Sequence, residues 1–204
     1  DWESSQPAVL RKVLGVLGLA DPLRATSKAA VTRLQGLGLR VVMLTGDHPA
    51  VAARIAAEAG ITEFRAQVMP EGKAEAVAAL RGEGLVGMVG DGINDAPALA
   101  QADVGMAIGT GPDIAIEASA VTLMRGDLQG VASAIRLARK TMLVMKQNLF
   151  WAFIYNVVGI PVAAGALYPF TGLMLSPVLA SAAMAFSSVS VVMNSLRLRR
   201  ASIV

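Results

Sequence analysis

The sequence has no cysteine and a single histidine, His48. Without cysteine, neither a disulfide framework nor thiolate metal ligands can come from this chain, and its redox compartment cannot be read from it. One histidine has no imidazole partner for a metal site, so His48 reads as a turn residue. Charge is scarce as well: 16% of the 204 residues are charged and 54% are hydrophobic, with a mean hydropathy of +0.57. Ordinary globular domains carry about a quarter charged residues, so part of this chain is expected to be solvated by lipid. A basic stretch followed by an apolar core is missing from the N-terminus, and the chain opens on Asp1 rather than Met. A truncated or excised piece is therefore expected. Internal repeats and low-complexity tracts are absent. The net charge of +3 and pI near 9.6 come from scattered basic residues that concentrate only beside the C-terminal apolar segments. That pattern fits a membrane surface and gives no expectation of nucleic-acid binding.

Up to about residue 140 the chain alternates between two kinds of segment. Lys12–Ala20, Arg40–Thr45, Gly84–Val89, Asp103–Ile108 and Ala120–Met124 are short apolar runs bounded by Gly, Asp or Pro, and read as strands buried on both faces. Thr26–Leu37, Pro49–Ala59, Glu71–Arg81 and Asp95–Ala102 read as helices opened by a polar cap or a proline. The alternation predicts an α/β fold with a Rossmann-like parallel sheet, whose sites form at the carboxyl ends of the strands.

From Leu149 the pattern changes. Residues 148–167 and 173–196 carry no charge, and each run is long enough to cross about 30 Å of hydrocarbon as a helix. Tyr168–Gly172 between them is too short for anything but an antiparallel transmembrane hairpin. Arg139, Lys140 and Lys146 precede the first run and Arg197, Arg199 and Arg200 follow the second, so the positive-inside rule places both ends in the cytosol. The expected division is an α/β domain over 1–140 and a membrane domain over 141–204, with spans at about 148–167 and 173–196.

The chemistry gathers at strand ends. In MVGDGINDAPAL, Asp91 follows an apolar strand between two glycines, and Asp95 lies four positions on, where Asn94 can cap a helix that Pro97 helps to start. Two carboxylates so placed can hold a Mg²⁺ ion that keeps several waters and shares a phosphate. Thr45 ends another strand in MLTGDH, where its hydroxyl and the following N–H groups can receive phosphoryl oxygens. Lys73 in VMPEGK opens a helix and offers a compact cation.

These strings, with ADPLR near the start and VGDGINDAPALAQADVGMAIGTGPDIAIEAS, closely resemble the phosphorylation domain of P-type ATPases, members of the haloacid dehalogenase-like superfamily. The resemblance implies that Asp91 coordinates Mg²⁺ with Asn94 and Asp95, that Lys73 contacts the phosphoryl group, and that Thr45 and Gly46 bind its oxygens, with Asp47 in the same loop. His48 stands where the family commonly has asparagine. The family's phosphorylated aspartate lies in Asp-Lys-Thr-Gly-Thr, and no aspartate here is followed by Lys-Thr-Gly. This chain alone is thus expected not to hydrolyse ATP, and its sheet, lacking the family's central strand, is expected to be partial.

In the apolar half, Tyr155 and Asn156 lie nine or ten residues past Lys146, and Ser188 nine before Arg197. Met184, Ser188 and Ser181 share a helix face, and Pro161 frees the carbonyl of Val157 beside Asn156. A thioether near a tyrosine and an asparagine, with no charged residue, suits Cu⁺ better than Zn²⁺. The pairs YN and MAFSS resemble the last two membrane helices of copper-type heavy-metal pumps. The expected protein is therefore the C-terminal portion of a Cu⁺-exporting P-type ATPase in a bacterial cytoplasmic membrane, using ATP and Mg²⁺. Its expected partners are membrane lipid, the remaining domains of the pump and a copper chaperone. Two other readings stay open: a non-catalytic membrane-anchored protein that binds Mg²⁺ and phosphate, and the same pump specific for Ag⁺ or Zn²⁺.

Overall fold

The computed structural model describes residues 22–91, 93–109, 117–124, 126–172 and 176–200; the strand expected at Lys12–Ala20 lies outside them. Helix α1 (Ser27–Gly36) leads to strand β1 (Val42–Leu44), helix α2 (Pro49–Ala59) and strand β2 (Glu63–Arg65), which pairs parallel to β1 with Val42 opposite Glu63. Parallel strands need a crossover of a dozen or more residues, and α2 provides it. His48 is the cap of α2: its backbone is extended and its Nδ1 accepts from the Ala50 N–H at 3.4 Å, while Pro49 opens the first turn. Gly60, with φ of 77°, ends the helix in the left-handed conformation that favours glycine.

Helix α3 (Pro70–Arg81) then feeds strand β3 (Gly87–Gly90), a 3₁₀ turn (Ile93–Asp95), helix α4 (Ala96–Gln101) and strands β4 (Val104–Ile108) and β5 (Val121–Leu123). These three strands form a second parallel sheet in the order β3-β4-β5, with Gly90 opposite Ala107 and Ile108 opposite Leu123. Among the described residues the strands make two separate parallel sheets, and burial follows from that. Gly105, Met106 and Ala107 of the central β4 are buried, whereas β1, β2 and β5 are only half-buried, each keeping an edge without a neighbour among the described residues. Among the described strands, the expectation of burial on both faces therefore holds for β4 alone.

The core lies between α3, α4 and β4, with Val77 and Leu99 almost fully buried, and a second buried set at Ala30 and Val31 of α1 lies where that helix packs on its neighbours. Asp103 closes it at one end. Its Oδ1 accepts from Arg81 Nε at 3.1 Å and Nη2 at 2.8 Å, and its Oδ2 accepts the Val86 N–H at 2.8 Å. The Val86 hydrogen bond, assisted by Arg81, holds the Asp103 carboxyl below the usual carboxylate range. A lowered folded-state pKa contributes stability above the unfolded value of about 3.9 that is lost as pH falls through it. Urea midpoints are thus expected to drop between about pH 5 and pH 3, and to drop less in Asp103→Asn. Equal pH dependence in the two proteins would count against this tie.

Helix α5 (Gln129–Ala163) runs for 35 residues without a break, so the boundary expected near 140 falls inside one helix. Its first turns pack on α1, burying Val131 and Ala132. Arg33 Nη1 donates to Gln129 Oε1 at 2.9 Å and Arg139 Nη1 to the Leu37 carbonyl at 2.7 Å. After a turn, the YPFT stretch forms a single helical turn, α6 (Tyr168–Thr171), and α7 (Pro177–Leu196) returns, followed by a 3₁₀ turn at Arg197–Arg200. Bonds from Asn148 to Ser195 and from Asn194 to Asn148 make α5 and α7 antiparallel, as the short connection requires. Among the described residues no helix is long and apolar enough to cross a membrane. Helix α5 stops at Ala163, short of the expected 167, and Gln147, Asn148 and Asn156 dilute its apolar part.

Candidate phosphate and metal site

Two of the expected site residues meet at the carboxyl end of β3. Lys73, in the first turn of α3, places Nζ 2.7 Å from Asp95 Oδ1, and both side chains are mostly buried, at 20% and 12% exposure. Asp95 Oδ2 accepts weakly from the Asp91 N–H at 3.4 Å. Both oxygens of Asp95 are therefore engaged by this chain. Gly90 makes the approach possible, since a Cβ there would lie 2.6 Å from the Cβ of Asp95. Asp95 occupies the cap position of α4 without bonding a helix N–H, and Asn94 stands in the 3₁₀ turn before it. The capping role expected of Asn94 is thus not realised, because the chain turns through Ile93–Asp95 before the helix begins.

The Asp91 carboxylate and the Asn94 side chain are exposed and have no partner among the described residues. A Mg²⁺ ion takes one or two protein carboxylates and fills its octahedron with water and phosphate oxygens. Asp91 and Asn94 suit that shell. Asp95 is held by Lys73 in this structure. Among the described residues no group of three or more His, Cys, Asp or Glu could hold a metal ion, and Asp91 with Asn94 would leave positions for water and phosphate oxygens.

Thr45, Gly46 and Asp47 form a second turn at the end of β1. The Thr45 hydroxyl donates to Asp47 Oδ2 at 2.8 Å and accepts the Asp47 N–H at 3.1 Å, while the Thr45 N–H extends the ladder to the Arg65 carbonyl. Two further bonds, from Gln67 N–H to the Asp47 carbonyl and from Val68 N–H to the Thr45 carbonyl, tie this turn to the segment entering α3. Gln67 does so at φ of 53°, where glycine or asparagine is usual, and no local signal in the sequence marks it. The turn is thereby fixed to the backbone six residues before Lys73.

The four residues expected to meet an ion are divided between faces. Tyr155 lines a cavity of about 260 Å³ with Trp151, Ser190 and Asn194. Asn156 donates to the Ala152 carbonyl of its own helix at 2.9 Å. Ser188 donates to the Met184 carbonyl at 3.3 Å, and Met184 is 73% exposed. Two residues of helix separate Ser188 from Ser190, a turn of about 200°, so Met184 and Ser188 point away from the Tyr155 cavity. Sequence reasoning missed the amide cluster of Gln147, Asn148 and Asn194 at the charged end of the hairpin.

Residues 3–103 match the family model of haloacid dehalogenase-like hydrolases. The α/β part of the chain is thus similar to haloacid dehalogenase-like hydrolases. Copper-transporting P-type ATPases are among the chain's homologues. It is 59% identical over 98% of its length to the probable copper-transporting ATPase PacS of Synechococcus elongatus, and 52% identical over 96% to the copper-exporting P-type ATPase of Legionella pneumophila. It spans 28% and 27% of those relatives. The crystal structure of a zinc-transporting PIB-type ATPase in its E2.Pi state superposes with a TM-score of 0.76 at 39% identity, covering 87% of this chain and 28% of that one.

Proposed function

We propose that this chain is the C-terminal part of a P-type ATPase that exports Cu⁺, driven by formation and hydrolysis of an aspartyl phosphate. The observation that carries this reading is the Lys73–Asp95 pair beside the open Asp91 at a parallel strand end, in a chain 59% identical to a probable copper transporter. Lys73 would meet phosphoryl charge, and Thr45 and Gly46 would bind phosphoryl oxygens once the Thr45 hydroxyl leaves Asp47, which positions the loop. Asp91 and Asn94 would hold Mg²⁺, joined by Asp95 if Lys73 turns to the phosphate; the ion would neutralise developing charge. The aspartate nucleophile and the nucleotide site would come from the remaining domains of the pump. A strand from that sequence, set beside the open edges of β1 and β3, would complete the sheet.

In this reading α5 and α7 lie in a bacterial cytoplasmic membrane with both ends cytosolic. No Asp, Glu, Lys, Arg or His lies between Lys146 and Arg197, and Leu149, Phe153, Ile160, Phe186 and Met193 are exposed along the helices. So large an apolar surface calls for lipid or for further helices. Met184, Ser188 and Asn156 would face such a helix across the ion path, and their exposure in this chain accords with a missing neighbour. A copper chaperone would deliver the ion.

The test is metal-stimulated ATPase activity of the longer protein. Cu⁺ is expected to stimulate it, Met184→Ala to weaken Cu⁺ activation by about 10- to 100-fold, and Lys73→Met to lower turnover by about 10²-fold or more. Stimulation by Zn²⁺ and not Cu⁺ would overturn the copper assignment, as would an unchanged Met184→Ala. The chain alone is expected to form no phosphoenzyme from MgATP.

A further inference from the structure

From Leu128 to Val204 the sequence carries seven Lys or Arg and no Asp or Glu, whereas the first 127 residues carry eleven basic and fifteen acidic side chains. The basic half is thus separate from the acidic one. At one end of the hairpin a clasp of side chains sets where two of the basic residues stand. Asn194 Nδ2 donates to Asn148 Oδ1 at 2.8 Å and to Gln147 Oε1 at 3.4 Å, Asn148 donates to Ser195 Oγ at 2.9 Å, and Arg197 Nη1 donates to Asn194 Oδ1 at 3.2 Å. Lys146, next to Gln147, is exposed and has no partner among the described residues. Lys146 and Arg197 are therefore brought to the same end of two different helices.

Two grooves meet there, divided by Trp151. One, of about 260 Å³, is polar over about half its lining and is bounded by Trp151, Tyr155, Ser190 and Asn194. The other, of about 270 Å³, is largely apolar and is lined by Leu143, Lys146, Gln147, Phe150 and Trp151. An amphiphile with an anionic head matches the pair: its acyl chain follows Leu143 and Phe150, its charge meets Lys146 and Arg197, and Trp151 sits at the boundary, where aromatic rings with a polar edge are favoured.

We infer that this junction is a binding site for the headgroup of an anionic phospholipid. The inference rests on the membrane reading above and names the lipid class and the residues that recognise it. Charge complementarity carries it, because a neutral headgroup leaves the two cations uncompensated and no carboxylate in this half competes.

The chain has two tryptophans, Trp2 and Trp151, so in a Trp2→Phe background fluorescence reports Trp151 alone. In neutral detergent micelles, phosphatidylglycerol brominated on its acyl chains is expected to quench Trp151 at roughly a tenfold lower mole fraction than brominated phosphatidylcholine. Lys146→Gln with Arg197→Gln is expected to abolish that preference, and Arg199→Gln with Arg200→Gln, which removes the same charge, to keep it. Lys146→Arg with Arg197→Lys, which preserves charge, should restore it and so excludes loss of fold. Coincident curves for the two lipids overturn the site, and so does equal loss in both double Gln variants, which means diffuse attraction. Competition by inorganic phosphate at millimolar concentration assigns the site to free phosphate and overturns the lipid. Quenching by neither lipid overturns the membrane reading itself.

Discussion

Alanine at position 105 is expected to destabilise the chain by about 3 kcal/mol or more, and alanine at 90 by nearly as much, while alanine at 46 costs less than about 1 kcal/mol. The three glycines look alike in the sequence, each at or near a strand end. Their surroundings differ. A Cβ on Gly105 would lie 2.6 Å from the Leu99 carbonyl oxygen and 3.3 Å from that of Ala118, so α4 would have to lift off β4. Backbone on both sides cannot rotate away, and Leu99 is among the most completely buried side chains. On Gly90 the Cβ meets the side chain of Asp95, which can turn, but only by leaving Lys73. On Gly46 the nearest atom is the Val68 carbonyl at 3.7 Å, an ordinary contact. Urea midpoints of the three variants provide the check, and equal effects at 46 and 105 would contradict the packing described. A Gly46→Ala protein that keeps its stability while its longer parent loses activity would locate the need for glycine in phosphate approach rather than in folding.

The second large effect concerns Lys73 and Asp95. Breaking a well-buried ion pair from one side costs about 3–5 kcal/mol, because the remaining charge is left uncompensated. With exposures of 20% and 12%, solvent relieves part of that, and Asp95→Asn is expected to cost about 2–3 kcal/mol. Lys73→Met should cost less, since Asp95 can then accept water and keep the Asp91 N–H. A double-mutant cycle is expected to return a coupling of about 1–3 kcal/mol, so that the double variant is more stable than the two single losses added together. Additive losses would show that the pair is a contact without energetic consequence. Gly90→Ala acts through the same side chain, so Gly90→Ala with Asp95→Asn should be less damaging than the sum of the two.

Much of the α/β part was legible from local signals. The proline and cap residues that open α2 and the glycine that ends it placed Pro49–Ala59 at its observed bounds. Apolar runs located β1, β3, β4 and β5 to within a few residues. Strand β2 was not foreseen: Glu63–Arg65 has one apolar residue and no alternation long enough to read, and it is a strand because β1 offers it a parallel edge. The hairpin was legible as two uncharged runs with a short link, but not the helix ends. Helix α5 begins in the α/β part, because a continuous helix passes from α1's surface into the apolar region with no proline or glycine pair to stop it.

At the site, the sequence by itself determined which residue types are present and where along the chain they fall: Thr45 and Asp91 after strands, Lys73 opening a helix, and an apolar half with no acidic residue. Those are consequences of turn chemistry and periodicity, which act between neighbours a few positions apart. Only the tertiary structure decided that Asp95 pairs with Lys73 while Asp91 stays open, that Tyr155 shares a cavity with Ser190 rather than with Ser188, and that Gln147, Asn148 and Asn194 clasp the helices at one end. These partners lie between 22 and 47 positions apart, and which face of a helix meets another depends on packing across the whole chain rather than on any local string.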